Sequence, residues 1–284
     1  MGPQLSSAPP PPPVAEEPKR RRWWMLGTVA GWIVVLAVLA TWSVWHSPAT
    51  VPEQRDIGDA VTELQRAAGV VYSAAGKGGE VVVLGDLDLI GDCRITPVRH
   101  GYVAARDLTL YVRPGEAEAA LEGIADALPA AYQAGVALTR GGTRVAFHAD
   151  AGNFIGIDAA SDAETKVLTL RLTSGCRPGP VEGVDKSDPA ATAPAELKTV
   201  LSALGGTGTP EARAIGCPGG GVAGSYTVEV PEANDWQARM RAAAAGAEIL
   251  RSDEGGWAYR KGSESVVVVA DGKTLRVSVS GDCQ

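Results

Sequence analysis

The sequence predicts an α+β protein: one transmembrane helix followed by two related small modules, each an antiparallel sheet with helices packed on one face and closed by a disulfide. Three observations predict it. Residues 23–45 carry no formal charge and follow Lys19-Arg20-Arg21-Arg22. Beyond them, helical and strand-like segments recur in the same order twice. The four cysteines, Cys93, Cys176, Cys217 and Cys283, fall two to each copy.

Residues 1–22 form a polar tail with a basic flank and a proline run from Pro9 to Pro13. Such a run favours an open polyproline helix that buries nothing, which suits a flexible tail or a docking peptide for a proline-recognition partner. The apolar stretch 23–45 comes next. At about 1.5 Å per residue it reaches roughly 34 Å, enough to cross a hydrocarbon core of about 30 Å with some tilt. Trp23 and Trp24 at one end and Trp42 and Trp45 at the other suit the two lipid–water boundaries. Four cations beside the first tryptophans resist translocation, whereas only Arg55 follows within ten residues of the other end. The expectation is a type II signal-anchor: a single-pass protein of the cell membrane, N-terminus cytoplasmic, bilayer contacted through 23–45, remainder extracellular. Ser47-Pro48-Ala49 loosely imitates a cleavage site, but the apolar run exceeds the roughly 7–15 residues of a cleaved signal.

After a juxtamembrane linker at 46–56, the first module is expected at 57–177. Ile57, Val61, Leu64, Ala68 and Val71 recur at helical spacing. Residues 80–90 alternate as a strand ahead of Cys93, and 102–112 form another, ended by Pro114-Gly115. A helix over 116–128 places Ala117, Ala120, Leu121, Ile124 and Leu128 on one side, with Pro129 as its limit. Strands at 144–148, 153–158 and 166–173 run into Cys176. Residues 178–194, rich in Pro, Gly, Asp, Ala and Thr, suit a linker.

The second module, 195–284, repeats the plan in shorter form. A helix over 196–204 precedes Cys217, and 225–230 alternates as a strand. A helix is expected over 234–250, with Trp236, Met240, Ala243, Ala247 and Leu250 on one side and Asn234 or Asp235 as its cap. Strands at 257–261, 265–270 and 274–280 run into Cys283. Ala146-Phe147 matches Ala258-Tyr259, and Ile155 to Ala159 matches Val266 to Ala270.

Four cysteines allow three pairings. The repeat selects Cys93–Cys176 and Cys217–Cys283, each closing a loop of about 70–80 residues and contributing around 4 kcal/mol in the loop-entropy model. Cysteines paired this way imply an oxidising compartment.

Outside the basic tail, 22 cations face 31 acids, a balance of −9. With no basic cluster, such a domain is a poor nucleic-acid binder. The Ala, Gly, Arg and Val bias fits a GC-rich coding sequence. Aromatics are sparse, so both cores must be built mainly from Val, Leu, Ile and Ala.

Catalytic signatures are thin. Of three histidines, His46 sits at the membrane boundary, and His100 and His148 suit turns or strand ends; His148 near Asp150 could orient a base, but no nucleophile stands in a recognisable setting. Asp86, Asp88 and Asp92 could offer oxygens to calcium, yet Asp86 and Asp88 alternate with leucines as the wet side of a strand would. The glycine-rich stretch Gly216–Gly224 precedes a strand rather than a helix and so lacks the setting of a phosphate cradle. Glu116, Glu118 and Glu122 suit the positive end of a helix. No catalytic, cofactor-binding or metal residues are assigned, and no cofactor. The expectation is a non-enzymatic cell-envelope protein that binds an extracellular protein or polymer, its oligomeric state open. The alternatives are a ligand sensor relaying through the proline-rich tail and, less favoured, an extracellular hydrolase.

Overall fold

A computed structural model describes residues 20–46 and 55–283. The proline run and most of the juxtamembrane linker lie outside the described residues. The chain divides into two units, 1–50 and 51–284.

In the first unit, α1 (Arg20–His46) is a single helix whose apolar part spans Trp23–Ser43, long and apolar enough to cross a bilayer. Its hydroxyls bond back to the helix itself. Thr28 Oγ1 donates to the Trp24 carbonyl at 2.7 Å and Thr41 Oγ1 to the Ala37 carbonyl at 2.9 Å, so neither hydroxyl needs a partner outside the helix.

The second unit is α+β and holds two six-stranded antiparallel sheets. The first contains β1 (Val81–Thr96), β2 (Arg99–Tyr111), β3 (Gly135–Thr139), β4 (Arg144–Asp150), β5 (Gly156–Asp162) and β6 (Val167–Thr173). The second contains β7 (Glu211–Gly216), β8 (Val222–Pro231), β9 (Glu248–Asp253), β10 (Gly256–Lys261), β11 (Glu264–Asp271) and β12 (Thr274–Gly281). Their strand orders are the same, β1-β2-β6-β5-β4-β3 and β7-β8-β12-β11-β10-β9. Phe147 and Tyr259, matched in sequence, are both buried and occupy equivalent strands, β4 and β10.

Each sheet buries alternate residues beneath helices. On the first, Leu108, Leu110, Phe147, Ile157 and Leu170 meet α2 (Ile57–Lys77) and α3 (Ala117–Ala127). Asp56 caps α2 by accepting the Gly58 N–H at 2.9 Å. On the second, Val228, Val266, Val268, Val277 and Tyr259 meet α4 (Ala195–Leu204) and α5 (Trp236–Ala243). Burying side chains of this size contributes about 1.5–3 kcal/mol each.

Both expected disulfides are present, with Cα–Cα distances of 5.8 Å for Cys93–Cys176 and 5.5 Å for Cys217–Cys283. Cys93 precedes β2 as expected but lies inside β1, which runs on to Thr96 in a long hairpin, rather than in a loop after the strand. The helix expected over 234–250 ends at Ala243. Gly246 takes φ +79° and turns the chain into β9, so Leu250 is a strand residue. Asp235 stands at the N-cap without capping through its side chain; its carboxylate accepts from Arg239 instead. The strand expected at 153–158 begins three residues later, because Asn153 and Phe154 take positive φ in a turn.

The segment between the sheets is stitched down on both sides. The Ile57 N–H donates to Pro178, Arg177 bridges to Tyr102, and the Tyr226 hydroxyl donates to Ala191 at 2.7 Å. A Cβ on Gly69 of α2 would fall 2.1 Å from the Gly216 carbonyl of β7, so only glycine permits that approach.

Candidate functional site

The free edge of β1 crosses the outer face of the second sheet, opposite its helices. That outer face carries hydroxyls: Ser225 on β8, Ser265 on β11, and Ser278 and Ser280 on β12. Ser225 Oγ accepts the Leu84 N–H at 2.9 Å and lies 2.5 Å from Ser280 Oγ; Ser265 Oγ accepts the Val82 N–H at 3.4 Å. Buried backbone donors need partners, and here serine hydroxyls stand where a neighbouring strand would. A small apolar seal of Val81, Tyr111, Leu250, Ala258 and Val267 lies beside them.

Where β1 leaves this seal, a groove of about 600 Å³ opens between the sheets. Val83, Val267 and Val269 are among its apolar lining, and Thr109, Thr227 and Ser278 supply hydroxyls. Three acids, Asp86, Glu211 and Glu229, and two cations, Arg213 and Arg276, line it. Arg213 pairs with Asp86 and, at 3.2 Å, with Glu211. The hydrogen bond to Asp86 holds its guanidinium even more firmly protonated. Arg276 reaches Glu229 at 3.4 Å and Asp271 at 3.5 Å. Burial raises the Tyr111 phenol above its ordinary value.

One wall is held from behind. Arg106 on β2 is fully buried and donates through Nε to the Gly85 carbonyl at 3.1 Å. It forms a fork with Asp188 at 3.0 and 2.9 Å and reaches Gln65 on α2 at 2.5 Å. Asp188 also accepts the Ala214 N–H of β7 at 2.8 Å. One bidentate pair thus fixes the bulge carrying Asp86 and the strand carrying Arg213.

The groove gathers Asp86 from the acidic trio but not Asp88 or Asp92, which are exposed elsewhere on the hairpin. Among the described residues no His, Cys, Asp and Glu group has metal-binding geometry. His148 does not pair with Asp150. Its Nδ1 lies 2.8 Å from Asp158 across β4 and β5, both side chains exposed, while Asp150 accepts the Gly152 N–H in a turn. His100 is exposed near the hairpin tip. The glycine-rich stretch forms the turn between β7 and β8, with Gly220 and Gly221 at positive φ. Glu116 pairs with Arg113 at 3.3 Å, and Glu118 sits in the first turn of α3.

These features define a disulfide-stapled α+β unit, with a polar groove between its sheets, in a chain that also carries an apolar helix able to anchor it. No family model matches the chain, and no curated protein matches it. Among solved structures, it is similar to the crystal structure of a DUF4853 family protein from Actinomyces odontolyticus ATCC 17982 at 16% identity, over 60% of this chain and 91% of that chain, with a TM-score of 0.36. A likeness that slight transfers neither mechanism nor ligand.

Proposed function

We propose that this chain is a type II membrane protein whose extracellular unit is a non-enzymatic binding domain of the cell envelope, taking a protein partner or an envelope polymer into the groove between its sheets. The groove carries this proposal. It combines an apolar floor, hydroxyls and paired charges of both signs, which is the make-up of a recognition surface. The basic residues 19–22 support the orientation, and the two disulfides fit an oxidising exterior. The shared strand order supports descent of both halves from one duplicated unit.

A photo-crosslinking residue at Thr227, inside the groove, tests it in intact cells. A discrete adduct is expected there, with none from the same residue at Ala160 on the open face of β5. Equal labelling at both positions, or none at Thr227, would overturn groove binding. Protease added outside intact cells should remove the 51–284 unit, and full protection would reverse the orientation.

A further inference from the structure

We propose that β3 is a docking edge for a second copy of this chain, which adds to the first sheet as an antiparallel strand. Four strands edge the two sheets, and three of them are guarded. Serine hydroxyls of the second sheet bond β1. Asp188 accepts from β7, and α2 lies against that strand. β9 carries Glu248, Arg251 and Asp253, which pair with Arg113, with each other and with Lys166. Charged side chains and covered backbones are the usual protections of a free edge.

β3 has neither. Gly135-Val-Ala-Leu-Thr139 holds no charge, pairs only with β4, and is exposed at every position except a half-buried Val136. Val136 and Leu138 stand opposite Phe147 and Val145, so they belong to the helix-covered face of the sheet. Leu138 is nevertheless 46% exposed, an apolar side chain at the rim of the core with no further strand beyond it among the described residues.

A second copy fits this edge in one simple register. Antiparallel pairing about Ala137 sets Val136 of each strand opposite Leu138 of the other, on the same face, and Ala137 opposite itself. Apolar cross-strand pairs form, and no like charges meet. A two-fold contact of this kind is self-complementary and closed. A separate feature favours the same partner: α1 carries Gly27 and Gly31 four residues apart, and an added Cβ at either meets nothing within 4 Å. Small residues at that spacing let two helices approach closely in a bilayer. The balance of −9 on each copy opposes pairing at long range, so association should strengthen as salt screens it.

The test is oxidative crosslinking of the full-length chain in isolated membranes. Residues paired across antiparallel strands have Cα atoms about 4.5–5.5 Å apart, within the span of a disulfide. Ala137→Cys should therefore give a covalent dimer, Ala160→Cys none, and adding Leu138→Lys to Ala137→Cys should abolish the dimer. Recovery of the native Cys93–Cys176 and Cys217–Cys283 peptides would establish that each variant folds. Equal dimer from both variants would place the contact in the anchors alone. Either that outcome, or crosslinking of the Ala137→Cys variant to a protein of different mass, would overturn the proposal. If the variants misfold, the wild-type chain in detergent decides: light scattering should give twice the chain mass at high salt, and a monomer throughout would overturn it.

Discussion

Among single residues, Arg106 and Asp188 carry the largest individual consequence. Arg106 is wholly buried, so removing its carboxylate partner strands a charge away from water. Asp188→Ala is expected to destabilise the folded unit by about 3–5 kcal/mol, read as a lower urea midpoint. A different effect is expected at Glu80. It is partly buried next to Arg260, its Oε2 has no hydrogen-bond partner among the described residues, and burial raises its pKa above the ordinary glutamate value of 4.5. Burial also raises Asp282, which pairs with Arg260. A carboxyl raised in the folded state adds stability below its unfolded value, and that stability is lost as pH rises through the folded one. Glu80→Gln should therefore match the wild type below about pH 4 and exceed it at neutral pH, in denaturation midpoints taken across the range. Asp253 has the opposite sign. The Arg251 hydrogen bond lowers it to about 2, so its contribution persists above the ordinary value of 3.8 and fades only as pH falls towards 2.

At the scale of elements, glycine and cysteine set how closely the parts approach. Gly69→Ala forces α2 off β7, an overpacking expected to cost about 1–3 kcal/mol in the same denaturation assay. Replacing Cys217 and Cys283 together by Ala opens a loop spanning 66 positions and should cost about 2–5 kcal/mol. Most helices and central strands were legible in the sequence because their apolar spacing is dictated by burial beneath a neighbour. β3, β7 and β9 were not, and all three are edge strands. They are short and largely exposed, so little apolar burial marks them: Glu211-Ala-Arg-Ala-Ile-Gly216 buries only Ala214 and Ile215, and the alanines before Gly246 read as helix until the glycine turns the chain. Even so, the order of the remaining elements and the position of each cysteine were enough to choose the right disulfides.

At the scale of the whole molecule, the groove could not be read from the sequence, because it arises where β1 crosses strands more than 100 residues away. Its one trace is the run Ser278-Val-Ser280, whose hydroxyls fall on the face of the sheet away from α4 and α5. A lone edge strand bonded by serine side chains also ties the fate of one half to the other. Ser225→Ala and Ser265→Ala together remove both acceptors and should speed amide hydrogen exchange at Leu84 and Val82, leaving exchange within α3 unchanged.

That dependence bears on how the polypeptide matures. Synthesis proceeds from the N-terminus, so the strand bearing Val82 and Leu84 is made well before the serines that shield it, and until then it is a naked template for sticking to other nascent chains. A fragment of residues 51–194 should precipitate where the unit 51–284 stays dispersed, making the C-terminal half an intramolecular chaperone for its elder sibling.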